Sequence, residues 1–234
     1  MTRAPPGGVL VTAAKSWNGG VRRVLIVDDH PMVRKGLRDL LDSEPGFEPC
    51  GEAANGDEAI SQLADDPPDI MLLDLSLAEG SGLELVKQAS ARFPDVQILV
   101  FSMHDEELYA ERTLEAGASG YVEKHSPVDE LLEALRRVGD GKIHVSKDMT
   151  ERLLQQRLAT GAEPGTSVNE RLSDRELQVF EELGRGRTTR QIAEDLHISI
   201  KTVERHCENI KDKLMLENRT QLLQHAVHWL LREV

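Results

Sequence analysis

The stretch that decides the fold is "VLIVDDHPMVRKGL" (Val24–Leu37). A short apolar run ends in two adjacent aspartates and is followed by a helical pattern through residue 43. The same unit recurs along the chain. Short buried runs stand at "PCGEAA" (49–54, weak), "DIMLLD" (69–74), "QILVFS" (97–102) and "GYVEK" (120–124). Helical patterns stand at about 55–65, 82–93, 106–116 and 127–138. Strands that are apolar throughout, alternating with amphipathic helices, imply a parallel sheet covered on both faces. In such sheets chemistry gathers beyond the carboxyl ends of the strands.

The strand ends carry the polar residues. Asp28 and Asp29 end the first strand, Asp74 the third and Ser102 the fourth, while Lys124 lies on the fifth. Carboxylates converging on one rim repel one another. A hard divalent cation with oxygen ligands offsets that repulsion, and a nearby lysine helps. His30 and His104 flank the rim and read as loop residues that tune access rather than as ligands or bases. Tyr109, inside "EELYAERTL", reads as a surface or packing residue.

Taken together, "VLIVDDHPMVRKGL", "DIMLLDLSLAEGSGLEL", "ILVFSMHDEE" and "AGASGYVEKHSP" resemble the receiver domain of two-component response regulators across residues 21–140. The resemblance implies a flavodoxin-like, doubly wound sheet of five parallel strands, with Asp74 phosphorylated by a sensor histidine kinase. It implies that Asp28, Asp29, Asp74 and the Ser76 carbonyl hold Mg2+. It also implies that Lys124 pairs with the phosphoryl oxygens, that Ser102 is the switch hydroxyl and that Tyr121 is the switch aromatic. Where the family often has Met-Pro after the phosphoacceptor, this chain has "SLAEGSG" (76–82). The change bears on loop rigidity and not on the attacking group.

Residues 1–20 read as a flexible tail rather than a signal peptide, because their apolar part is short and broken by Gly and Pro. Residues 141–169 form a linker. In it "MTERLLQQRL" is helical by period, and "ATGAEPGTSVN" is a Gly-, Pro- and Ser-containing hinge.

Residues 170–234 change to helices only. Ser173 with Glu176, and Thr188 with Gln191, have capping-box spacing. Gly184 and Gly186 separate the first two helices, and the turn "HIS" (197–199) leads into "ISIKTVERHCENIKDKL". In that helix Val203, Cys207, Ile210 and Leu214 form one stripe behind Ser199. A last helix shows Leu222, Leu223, Ala226, Val227 and Leu230 on its apolar face. Two helices joined by a tight turn fit a helix-turn-helix unit. The segment "LSDRELQVFEELGRGRTTRQIAEDLHISIKTVERHCENIKDKL" resembles the LuxR/NarL-type DNA-binding domain. This implies a recognition helix from Ser199 to Leu214 and a last helix that dimerises. Arg205 can reach guanine, and Glu204 or Glu208 can accept from cytosine. Thr189, Arg190, Lys201 and Thr202 are candidates for phosphate contact. Against this, Glu204 and Glu208 read equally as solvated side chains, with neither finding an i,i+4 partner.

Charge bears on that helix. The chain carries −13 overall, but residues 21–140 hold 11 basic against 26 acidic residues, and residues 170–234 hold 11 against 12. The acidity therefore belongs to the first half and leaves double-stranded DNA open as a partner of the second. Hydrophobic residues make up 39% and aromatics only 3%, so the cores must be aliphatic. No apolar run approaches the roughly 20 residues of a membrane helix. Cys50 and Cys207 form no CxxC pair and read as small buried hydrophobes in a reducing cytoplasm.

The reading is a cytoplasmic, Mg2+-dependent, phosphorylation-controlled transcription regulator that dimerises when phosphorylated. It is no enzyme, since phosphoryl transfer to Asp74 modifies the chain itself. The alternative is a phosphoacceptor module whose C-terminal half binds protein rather than DNA.

Overall fold

The computed structural model describes residues 20–77, 81–158 and 168–233. The expected tail and most of the hinge lie outside them. The first half is built from β1 (Arg22–Val27), α1 (Pro31–Ser43), β2 (Phe47–Ala53), α2 (Gly56–Asp65), β3 (Ile70–Leu73), α3 (Gly82–Arg92), β4 (Gln97–Ser102), α4 (Glu106–Glu115), β5 (Gly120–Glu123) and α5 (Val128–Gly139). Its five strands pair in the order β2-β1-β3-β4-β5, all parallel.

Strand alternation sorts the side chains between two cores. Val24, Ile26, Ile70, Leu72, Leu99 and Val122 pack with α1 and α5. Leu25, Val27, Met71, Leu73, Ile98 and Val100 pack with α2, α3 and α4. Both faces being covered is what the unbroken apolar runs required.

The weak second run is the edge strand β2. Val24 pairs with Pro49 and Leu25 with Gly51, so Cys50 is an extra residue in a bulge. Cys50 is half-buried, not buried as expected. Past β3, the chain folds back so closely that a Cβ on Gly82 would lie 2.4 Å from the Leu75 Cα. Only glycine allows that approach.

A connecting helix, α6 (Lys147–Leu158), packs on α4 through the buried Met149. The second half comprises α7 (Val168–Arg171), α8 (Asp174–Gly184), α9 (Thr189–Asp195), α10 (Ile200–Leu214) and α11 (Arg219–Glu233). Val168 and Asn169, read as hinge, begin α7 instead. The capping spacings are realised, with Glu176 accepting from Ser173 N at 2.8 Å and Gln191 from Thr188 N at 2.9 Å.

Gly184 does not separate helices. It ends α8, where a Cβ would meet the Ala226 carbonyl oxygen of α11 at 2.8 Å. The turn between α9 and α10 passes through His197 at φ 51. The predicted stripe of α10 is buried in full. On α11 the buried face is Leu222, Ala226 and Trp229, while Val227 is 41% exposed, against expectation. Trp229 takes that place because its ring packs 5.3 Å from Phe180 of α8.

No helix among the described residues is long and apolar enough to cross a membrane.

Candidate functional site

The sheet brings the polar strand ends to one rim. Asp28 and Asp74 are 2–3% exposed and Ser102 is fully buried. Lys124 Nζ donates to Asp28 Oδ2 at 2.7 Å and to Asp74 Oδ2 at 2.6 Å. Burial pushes the Lys124 ammonium down, but Asp74 and Asp28 more than offset it and leave its pKa raised. A partly buried lysine between two buried carboxylates pairs with both and leaves the set with one negative charge in excess.

The other Asp74 oxygen accepts from Ser76 N at 3.1 Å. Asp29 Oδ1 is buried and accepts no hydrogen bond. The nitrogen facing it, His30 Nδ1 at 2.5 Å, pairs with it only if the ring is protonated. Asp28, Asp29 and His30 form a cluster whose ligand atoms lie within 4.8 Å of one another. A buried carboxylate oxygen without a hydrogen-bond donor, clustered with Asp28, fits a hard, oxygen-seeking cation.

Tyr121 is buried, and its hydroxyl donates to the His104 carbonyl at 2.9 Å. Tyr109 is also buried, which sets it as a packing residue, but its partner was unforeseen. Its hydroxyl donates to Glu181 Oε2 of α8 at 3.1 Å. Around it Arg112 donates to Asp174 Oδ1 at 2.8 Å and to the Leu172 carbonyl at 2.6 Å. Thus α4 and α8 join the two halves. Burial pushes the Tyr109 phenol well up, as it does Tyr121. Burial also pushes the Glu181 carboxyl up, yet His104, Arg185 and Tyr109 bring it below its ordinary value.

Sequence reasoning passed over Glu181. The signal that could have found it is its spacing of four from Leu177, which places it on the buried face of α8.

The outward face of α10 is a different environment. Lys201, Glu204, Arg205 and Glu208 are all exposed. Glu208, expected to find no i,i+4 partner, pairs instead at i+3 with Lys211 Nζ, at 2.7 Å. On α9, Arg190 is exposed and pairs with Glu194, and Thr189 Oγ1 accepts from Arg219 at 2.7 Å. Thr202 N donates to the α10 cap, Ser199 Oγ, at 3.1 Å. Lys201, Glu204, Arg205 and Glu208 alternate basic and acidic along the helix, and the contact between α4 and α8 leaves them open to solvent.

Residues 24–136 match the family of the response regulator receiver domain, and residues 170–226 match the bacterial regulatory proteins of the luxR family. The chain is 34% identical over 209 residues to the oxygen regulatory protein NreC of Staphylococcus carnosus (strain TM300), covering 88% of this chain and 96% of that protein. It is 33% identical over 218 residues to the transcriptional regulatory protein DegU of Brevibacillus brevis, covering 88% and 92%. Its structure is similar to that of RcsB from Salmonella enterica serovar Typhimurium bound to promoter rprA in the presence of phosphomimetic BeF3−. The TM-score is 0.57 at 27% identity, over 89% of this chain and 99% of that one.

Proposed function

The chain belongs to the response regulators of the NarL/FixJ family, which join a receiver to a LuxR-type DNA-binding domain, and from that premise we propose how its own residues perform phosphorylation-controlled transcription regulation. We place the receiver at residues 21–140, the linker at 141–169 and the DNA-binding domain at 170–234. Asp74 is the phosphoacceptor. One of its carboxylate oxygens attacks the phosphorus of a phosphohistidine on a sensor kinase. The P–N bond breaks, its electron pair leaves with the imidazole, and an acyl phosphate forms. Asp28, Asp29, Asp74 and the Ser76 carbonyl hold Mg2+. Bound there, the ion neutralises charge spread over the phosphoryl oxygens.

Lys124 supplies the second positive charge. The observation that carries the reading is its ammonium, held 2.7 and 2.6 Å from the Asp28 and Asp74 carboxylates. As the phosphoryl group arrives, Lys124 turns from the Asp74 carboxylate to the new oxygens. Ser102 donates its hydroxyl to the same group, and Tyr121 follows the space so vacated.

The output acts in the cytoplasm through double-stranded DNA. Arg205 reads guanine, with Glu204 and Glu208 accepting from cytosine. Thr189, Arg190, Lys201 and Thr202 hold the phosphates. Near-zero net charge gives a single domain little non-specific affinity, so phosphorylation acts by favouring a homodimer on two half-sites.

Selection of DNA from a random library by the full chain, with and without a small phosphodonor and Mg2+, tests this. A paired motif enriched only with phosphodonor is the expected result. Enrichment without it removes the gate. No enrichment under either condition sinks DNA reading and leaves a protein-binding output.

A further inference from the structure

His104 lies between the phosphorylation pocket and the output domain. His104 follows β4 by two residues, as Ser76 follows Asp74 by two. Its Nε2 lies 3.1 Å from Ser76 Oγ, and the Ser76 N–H is the group that holds Asp74 Oδ1. Its Nδ1 lies 3.5 Å from Glu181 Oε2 in α8. Its backbone N–H faces Ser102 Oγ at 3.4 Å, and its carbonyl accepts from Tyr121 at 2.9 Å. Its ring lies 4.6 Å from that of Tyr109, whose hydroxyl bonds to the same Glu181. A continuous path therefore runs from Asp74 through Ser76 and His104 to the output domain.

Glu181 gives that path its direction. The residue is fully buried, and a buried carboxylate is tolerated only with its partners in place. Its partners are Arg185 of its own helix at 2.7 Å, with Tyr109 and His104 of the receiver. Domain separation takes Tyr109 and His104 away from the carboxylate, while Arg185 of its own helix stays with it. Domain closure sets the carboxylate against His104 Nδ1, with Arg185 and Tyr109 as its other partners. Closing the domains therefore fixes His104, and His104 in turn occupies the Ser76 hydroxyl and anchors the loop beside Ser102. A phosphoryl group on Asp74 needs the Ser102 hydroxyl, to which the His104 N–H points, to turn toward it.

We propose that His104 is a positioning residue for phosphoryl uptake at Asp74, and that Glu181 of the output domain holds it in a placement that disfavours uptake. The inference rests on the reading of Asp74 as phosphoacceptor. Coupling between two equilibria is reciprocal, so a domain contact that phosphorylation weakens must itself weaken binding at the phosphorylation site by the same factor. An output-domain substitution far from Asp74 in sequence then tightens binding at Asp74, and does so only while His104 is present.

The test measures the affinity of the full-length chain for beryllofluoride, a phosphoryl mimic, in the presence of Mg2+. The proteins are wild type, Glu181→Gln, Arg112→Ala, His104→Ala and the two double variants with His104→Ala. Glu181→Gln keeps the side-chain volume and a hydrogen-bonding oxygen for Tyr109. Arg112→Ala loosens the same domain contact without touching Glu181 or His104, so the test survives if one variant fails to fold. Expected is a rise in affinity of about fivefold or more for each single variant at Glu181 and Arg112. In the His104→Ala background neither adds anything further. An unchanged affinity in both single variants overturns the coupling. Equal gains with and without His104 overturn the role of His104. Failure of the wild type to bind beryllofluoride, with Asp74→Asn as the blank, overturns the phosphoacceptor reading itself and this inference with it.

Discussion

The receiver pocket and the recognition helix both live by their charges, and they hold them in opposite ways. In the pocket, buried Asp28 and Asp74 and part-buried Lys124 fix one another. On α10, Lys201, Glu204, Arg205 and Glu208 stand in water, and folding does not depend on where they point. A buried charged set is stable only as a whole, so evolution of one member endangers the fold along with the chemistry. An exposed set can change its reading of DNA without touching the core. The switch is therefore built where charges are mutually constrained, and specificity where they are not.

The largest effect that sharpens this contrast is at Asp74. Asp74→Asn removes the attacking oxygen while keeping shape, and phosphate incorporation from a small phosphodonor falls to background. Mass spectrometry of the intact chain checks it. Persistent labelling of the variant moves the site elsewhere. Next is Lys124→Ala, which leaves the Asp28 and Asp74 carboxylates facing each other without their cation. A loss of about 3 kcal/mol in stability follows in metal-free buffer. Mg2+ recovers part of it, because a second cation then supplies the missing charge. Urea unfolding with and without Mg2+ measures both, and a variant as stable as wild type without metal would break the comparison.

On the recognition helix the expected pattern reverses. Arg205→Ala weakens binding to the selected sequence by about 1–3 kcal/mol and relaxes the preference for one base pair. Its unfolding free energy stays within about 0.5 kcal/mol of wild type, as for any solvated side chain. Lys201→Ala weakens all sequences alike and lowers the salt slope by about one. Fluorescence anisotropy at several salt concentrations separates the two behaviours. Equal losses on every sequence from Arg205→Ala would make it a phosphate contact.

What could be read from residues alone divides along the same line. The strand ends were legible because chain order and a short apolar run dictate which residues reach the rim. The edge strand β2 was faint because Pro49 and Gly51 weaken its pattern around a bulge. The α10 stripe was legible because helical period selects one face. The pairing of Glu181 with Tyr109 was not, because the two stand 72 residues apart and no local pattern encodes that contact. Val227 was placed inward by apolar character alone, whereas the space on α8 is filled by Trp229 against Phe180.

Glu176 stands between the two regimes and gives the smallest predicted effect. Its carboxylate is buried, but its cation, Lys213 Nζ at 2.6 Å, is 42% exposed. Burial pushes the Glu176 carboxyl up, while Lys213 and the Ser173 N–H pull it further down, so its pKa is lowered in the folded chain. The folded protein then takes up this proton at a lower pH than the unfolded chain does. The stability from Glu176 is thus complete above the unfolded carboxylate pKa and is lost as pH falls through the lower, folded value. Solvent around Lys213 screens the pair and keeps the contribution under about 1 kcal/mol. Glu176→Gln should flatten the acid limb of the stability–pH curve by that amount and leave the neutral limb parallel to wild type. A loss of several kcal/mol at neutral pH would mean that Glu176 behaves like the pocket carboxylates after all, and that one exposed partner does not relax the all-or-none character of a buried charge.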